Sequence, residues 1–521
     1  MLLLSRCVCA VALLVGSSVQ AQDVDLVLEH GTIYDGSGGE PVVGYLAIKG
    51  DKIVSVGTEP VPSAKWRIDV TGLVVAPGFI DLHTHSDGEN TEPATRACVN
   101  YLMQGCTTSV TGNCGSGPVD VAAYYKDVDS AGCGTNVAHL LPQGNLRLKV
   151  VGDIDRKATD EELEQMRSLA RKAMHDGAWG MSTGLIYTPS TYASTEELIE
   201  LTKCIAEGQG IYASHIRSEG DQLLEAVQEA IRIGKEGGVP THISHFKATG
   251  TANWGRLRVA IDLVEKARMA GQVVTADQYP YTASSTSLEA TLFPIWSRNG
   301  GSKELVKRLD DPETKERLLK ELGRAIEERD EGARLLIASF SKRADWAGKT
   351  LKEIAESEQK TPLEIAELIT RQGGAAVINF GMHEDDVRLA MAVPWVATAS
   401  DGGTRVPNES MPHPRSYGTF PRKIGYYSIQ EKVLPLSQAI RSSSGLPADI
   451  LGMTDRGYLK AGQFADVVIF DPQSFIDTAT FAKPHQYAAG LKFVFVNGTP
   501  AVYEGVPTGA LAGRALRKNG K

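Results

Sequence analysis

Eight runs of apolar or β-branched residues recur through the middle of the chain, at 78–85, 107–113, 137–145, 178–185, 211–215, 241–246, 273–279 and 395–400. Segments of helical periodicity lie between them. A strand, a helix and the next strand within about thirty residues is the βα unit of a parallel sheet. Eight such units close into a (β/α)8 TIM-like barrel, although the same units also build an open doubly wound sheet. No Gly-rich dinucleotide fingerprint follows any of these strands, which favours the barrel. Two of the helices have legible ends. Ser194-Thr195-Glu196-Glu197 reads as a capping box, and the amphipathic helix over 221–235 stops at Gly237-Gly238-Val239-Pro240. The rhythm lapses between Tyr279 and Trp395. Charged helical stretches at 303–332 and 350–372 read as an insertion, over about 285–380, between strands seven and eight.

The two ends have a different period. Alternating segments over 23–56, and again at 466–471 and 493–496 before Asn497-Gly498, predict short strands and hairpins. They predict one small β domain built from both termini, residues 22–77 and 456–521, around a barrel at 78–455. Residues 1–21 differ again: a single charge at Arg6, an apolar run over 7–15 and Val19-Gln20-Ala21 predict a cleavable signal peptide and a secreted or periplasmic protein. No later stretch is apolar enough to span a membrane. The balance of 63 acids to 54 bases, with no basic stripe, argues against nucleic acid. Of seven cysteines, Cys7 and Cys9 lie in the predicted signal. The remaining odd number leaves at least one thiol for a task other than a disulfide.

The chemistry-bearing residues gather at predicted strand ends. In Gly78-Phe79-Ile80-Asp81-Leu82-His83-Thr84-His85, the i, i+2 spacing turns His83 and His85 to one side, where two imidazoles can share a metal. Ser214-His215-Ile216-Arg217 and Ser244-His245-Phe246-Lys247 repeat one pattern a βα unit apart, which predicts both histidines at the same height on strands five and six. Most of the other seven histidines read more simply as surface or core residues. Cys114 ends strand two, either as a thiolate ligand or as an inert buried thiol. Asp401 ends strand eight, either as a proton carrier or as a helix N-cap.

The motifs GFIDLHTH, GNCG, ASHIR, ISHFK, YPYTAS, ASDGG and HPRSYGTFPR, in this order, resemble those of the D-aminoacylase (N-acyl-D-amino-acid deacylase) group of the amidohydrolase superfamily. The resemblance runs from about residue 24 to residue 517. It implies one tightly held zinc bound by Cys114, His215 and His245, with His83 and His85 completing a second, weaker position or supporting the first. It implies Asp401 as the acid–base group. It assigns a substrate carboxylate to Lys247, Tyr279, Tyr187 and Arg415, with Tyr281 two residues from Tyr279 as the competing choice. The implied reaction is zinc-dependent hydrolysis of N-acyl-D-amino acids, small-molecule substrates. Arg298 falls near the family's side-chain selector, and a cation there favours acidic side chains. The segment from Asp401 to Arg415 is longer than the family leads one to expect, so residues 404–411 predict an altered pocket wall. The competing enzyme reading is an amidohydrolase acting on a cyclic amide or a D-residue dipeptide. Such enzymes use a lysine on strand four, which this chain lacks there. A non-catalytic ligand-binding barrel is the alternative of another class.

Overall fold

The computed structural model describes residues 24–518, so the predicted signal segment lies outside the described residues. Parallel strands stand where the eight runs predict them, the third run giving two short pieces, Asn136–His139 and Leu141–Pro142, so nine segments form the barrel. Phe79–Asp81, Cys106–Thr111 and Asn136–His139 pair in one arc. Leu141–Pro142, Gly180–Gly184, Ile211–His215, Thr241–Ile243, Val274–Gln278 and Val396–Thr398 pair in a second. The arcs join at both seams. Trp179 N donates to His139 O at 2.9 Å. On the other side, Asp401 N donates to His83 O at 2.8 Å and His85 N to Gly402 O at 2.7 Å. The barrel is thus distorted but closed, and its second seam runs through three of the sequence-predicted site residues.

Gly180–Gly184, Ile211–His215 and Val274–Gln278 are buried at every position, as strands covered on both faces must be. The helix Thr195–Glu207 starts at Ser194, whose side chain accepts Glu197 N. The predicted capping box is incomplete, because the Glu197 carboxylate turns away to bind Arg147 Nη1 at 2.7 and 2.5 Å. A buried guanidinium without a carboxylate costs more than an open cap. The next helix, Leu223–Gly237, ends on Gly238 at φ 73°, the left-handed stop the glycine pair predicts.

The terminal β unit is a nine-stranded sheet. Five strands from Val24–Ile33 to Val74–Pro77 join four from Val467–Phe470 to Val506–Pro507, through antiparallel pairing of Val74–Pro77 with Val467–Phe470. Asn497 (φ 48°) and Gly498 (φ 76°) make the tight turn between Leu491–Val496 and Thr499–Tyr503. Asp466 ties this sheet to the barrel: it accepts from Asn497 N at 2.7 Å and Asn136 Nδ2 at 3.2 Å, and pairs with the buried Arg456.

The insertion is not purely helical. Its helices Ser302–Asp310, Pro312–Glu327, Leu351–Ser357 and Pro362–Arg371 pack on an antiparallel sheet of Ser284–Ser287, Ala376–Asn379 and Leu335–Ser339, around a hydrophobic core of its own. Short runs with no alternation hid these strands. No helix among the described residues is long and apolar enough to cross a membrane.

Behind the eighth strand, the helix Arg415–Pro421 continues into Arg422–Gln430, which buries Lys423. Its Nζ has no hydrogen-bond partner, and burial pushes its pKa down to about 7. Between about pH 7 and 10.5 the unfolded chain holds this proton and the folded chain does not, so stability rises with pH across that window. Lys423→Met is therefore expected to raise Tm by a few degrees at pH 7, with the gain shrinking towards pH 10. A lower Tm, or a pH-independent gain, would show that the ammonium is not the strained group.

Candidate metal centre and substrate cavity

Cys114, His83, His215 and His245 converge at the C-terminal rim of the barrel, all buried. Cys114 Sγ lies 3.2 Å from His83 Nε2, 3.7 Å from His215 Nδ1 and 3.8 Å from His245 Nε2. Three groups of donors can each hold one ion: His83, His85 and Cys114; Cys114, His215 and His245; His83, His245 and Asp401. Cys114 belongs to two of these groups, which places its sulfur where it can be shared.

Backbone shape aims these side chains. Cys114 (φ 51°), His245 (φ 38°) and Asp401 (φ 50°) all adopt left-handed φ, a costly conformation that tends to persist at functional sites. The kink matters at His245. Strands five and six pair Ser214 with Ile243, so His245 lies one residue beyond the position facing His215. The predicted equal height is therefore off by one residue, and the turned backbone restores the approach: the two rings stand 4.3 Å apart.

The donor set fits a zinc-class ion. An ion about 2.3 Å from sulfur and about 2.0 Å from nitrogen, in tetrahedral geometry, leaves those donors about 3.5 Å apart. The Cys114 contacts to His215 and His245 come close to that spacing. His215 Nε2 is buried with no hydrogen-bond partner. Burial opposes ionisation of Cys114, but the charge on His83 and the hydrogen bonds to His215 and His245 outweigh it and hold the thiol well below its usual range. A thiolate is the form that binds metal.

Asp401 stands at the centre of a charged chain. Its Oδ1 lies 3.0 Å from His85 Nε2 and 3.5 Å from His83 Nε2. Its Oδ2 accepts from Arg415 Nη1 at 2.7 Å. Burial works against the carboxylate, but Arg415 and His83 prevail and hold its pKa well below the usual range. His85 moves the other way: burial is overcome by Asp401 and Cys114, and its pKa rises to about 9.

These groups open on a cavity of about 650 Å3. Lys247, Tyr279, Tyr187 and Arg415 all line it, together with His85, Cys114, His215, His245 and Asp401. The Arg415 guanidinium lies 4.8 Å from the Tyr279 ring centroid. Tyr187 Oη is 3.0 Å from Thr286 Oγ1. Tyr281 is not in the lining: its ring packs on His413, Phe481 and the Arg422 guanidinium. Arg298 is not in the lining either. It is buried one layer behind, its Nη1 donating to Ile186 O at 3.0 Å. Of the 404–411 segment, Arg405 and Ser410 face the cavity, and Met411 N donates to Ala338 O of the insertion at 2.8 Å.

Sequence reasoning missed three charged residues. Glu219 accepts from Lys247 Nζ at 2.5 Å and lies 2.8 Å from His245 Nδ1. Its place one helical turn after His215 is a weak signal, since this stretch is a loop. Asp277 accepts from His245 N at 2.7 Å and contacts His242 Nε2 at 2.8 Å. A carboxylate inside the buried strand Val274–Gln278 was the available clue. Arg329, from the insertion, lines the cavity wall and carried no sequence signal.

The sequence profile of the amidohydrolase family matches residues 67–502, most of the chain. The chain belongs to the amidohydrolase family. Within that family it is 37% identical to D-aminoacylase of Alcaligenes xylosoxydans xylosoxydans, over 96% of this chain and 99% of that one. A solved D-aminoacylase, studied for its binuclear metal centre with one-metal activation and second-metal attenuation, superposes with a TM-score of 0.82 at 35% identity, over 95% of this chain and 100% of that one. N-acyl-D-glutamate deacylase of Bordetella bronchiseptica, solved with zinc and a phosphonate mimic of the tetrahedral intermediate, gives a TM-score of 0.81 at 30% identity, with the same coverage. The fold is thus the distorted barrel of the D-aminoacylase group, and the chain is a metal-dependent hydrolase.

Two of the three donor groups contain Cys114, so its loss removes both. Cys114→Ser is expected to lower affinity for zinc by about 100-fold or more, read as metal retained after dialysis against a graded chelator. Wild-type retention in the variant would take the sulfur out of the metal site.

Proposed function

We propose that this chain hydrolyses the amide bond of N-acyl-D-amino acids, releasing a carboxylate and a free D-amino acid. The observation that carries the reading is the lining of one cavity: a sulfur–imidazole donor cluster on one side, and Arg415, Lys247, Tyr279 and Tyr187 on the other. Cys114, His215 and His245 would hold the first ion, which we take to be zinc, with His83 and His85 at a second and weaker position. The ion supplies Lewis-acid polarisation of the amide carbonyl and acidifies the attacking water.

The residues of the chain do the rest. Arg415 offers a guanidinium to the substrate carboxylate, Lys247 adds a point charge, and the Tyr279 and Tyr187 hydroxyls complete the grip. Arg415 also binds Asp401. A substrate carboxylate competing for Arg415 weakens that hold and raises the proton affinity of Asp401 when a base is needed. Asp401 then takes the proton of the attacking water and returns it to the departing amine nitrogen. Arg298 does not reach the cavity, and acts on the side-chain pocket only through the field of its guanidinium behind the Ile186 wall, which favours acidic groups. The cyclic-amide alternative lacks its lysine, since strand Gly180–Gly184 carries none. The apolar N-terminal segment with its Val19-Gln20-Ala21 ending supports export of the mature enzyme to the periplasm or beyond.

A panel of N-acetyl-D- and N-acetyl-L-amino acids, read by released amine, tests this reading. D-substrates are expected to turn over, N-acetyl-D-glutamate ahead of N-acetyl-D-leucine, with Arg298→Leu narrowing that ratio. Asp401→Asn is expected to cost at least about 100-fold in kcat with metal content intact. Turnover of the variant within about tenfold of wild type would remove Asp401 from proton transfer.

A further inference from the structure

Four described cysteines lie outside the metal cluster, and two of them meet. Cys98 Sγ and Cys133 Sγ are 3.4 Å apart, both fully buried. No other pair of thiols is in contact among the described residues. Their backbones are held side by side. Gly134 N donates to Arg96 O at 2.8 Å, and the Arg96 guanidinium binds Ala131 O. Position 134 has to be glycine for this approach, because a Cβ there would sit 2.0 Å from Ala97 O. A disulfide needs its sulfurs about 2.05 Å apart on closely spaced backbones.

We propose that Cys98 and Cys133 form an intrachain disulfide when the chain folds in an oxidising environment. The co-reactant is a low-molecular-weight or protein disulfide, R–S–S–R. The Cys98 thiolate attacks one of its sulfurs, the R–S–S–R bond breaks, and RS⁻ leaves. Cys133 then gives its proton to RS⁻ and attacks Cys98 Sγ, expelling a second RS⁻, which is protonated from water. Two cysteine thiols are oxidised and one external disulfide is reduced to two thiols. Because both sulfurs are buried in the folded chain, exchange takes place before this region closes.

The link reaches the catalytic loop. Cys98 contacts Thr404 Oγ1 at 3.9 Å. Two residues on, Asn100 Nδ2 donates to Gly403 O at 3.1 Å, and Asn100 Oδ1 accepts Arg405 N at 3.1 Å. A bond at Cys98 therefore anchors the segment that grips the chain immediately after Asp401. It also closes a loop of residues 98–133 around strand two and Cys114, constraining the unfolded chain.

The test uses the full chain, exported into an oxidising compartment and, separately, made in a reducing one. Each sample is denatured in excess N-ethylmaleimide with a chelator and no reductant, then mapped by mass spectrometry. In the exported protein, the peptides of Cys98 and Cys133 are expected as one species 2 Da lighter than the sum of its parts, separated only by reductant. Cys106, Cys114 and Cys204 are expected to carry maleimide. The protein made in reducing conditions is expected to carry maleimide at Cys98, Cys106, Cys114, Cys133 and Cys204 alike. Reductant is expected to lower Tm of the exported wild type by a few degrees and to leave Cys98→Ser, or Cys133→Ala if the first folds poorly, unmoved. Maleimide on both Cys98 and Cys133 of the exported protein would overturn the proposal. So would a link to any other cysteine, or a stable mixed disulfide on Cys98.

Discussion

A buried thiolate among four imidazoles is the interaction on which this structure turns. Cys114 lies within 4 Å of His83, His215 and His245, and Asp401, Glu219 and Asp277 stand against the same rings. In a water-excluded rim, such a set is costly unless its charges are matched and its donors share a cation. The outer contacts have the form that sustains a metal site. Glu219 and Lys247 meet His245 Nδ1, and Asp277 holds the His245 backbone. They fix ring orientation before any ligand arrives.

The barrel delivers these groups because its second seam is built from them. His83, His85, Asp401 and Gly402 close strand one onto strand eight by main-chain hydrogen bonds. The Asp401 carboxylate is thereby set between the histidines of strand one and Arg415. The insertion completes the other wall. Its small sheet brings Ser284–Ser287, Ala338 and Ala376 to the cavity, and the 404–411 segment docks on it through Met411.

Much of this was legible in the sequence, because strand periodicity and strand-end histidines are local signals. His83, His85, His215, His245, Cys114 and Asp401 each sit at or just past a strand, and an apolar run ending in a polar residue announces that place. The family motifs then narrowed the alternatives that spacing left open. Other features depend on partners distant in sequence. Glu197 abandons its capping role for Arg147, fifty residues away. The one-residue offset of His245 depends on a φ of 38° that no composition encodes. Arg298 sits close to the pocket in sequence terms but is walled off by Ile186. The strands of the insertion lack alternation, and the contact of Cys98 with Cys133 appears only when the chain folds.

The donor set puts a cysteine sulfur, and not a strand-four lysine, beside the imidazoles that can hold an ion. X-ray absorption at the zinc edge of the metal-loaded protein tests it directly. One sulfur scatterer at about 2.3 Å, with nitrogen and oxygen near 2.0–2.1 Å, is the predicted shell. A shell of nitrogen and oxygen alone would contradict it.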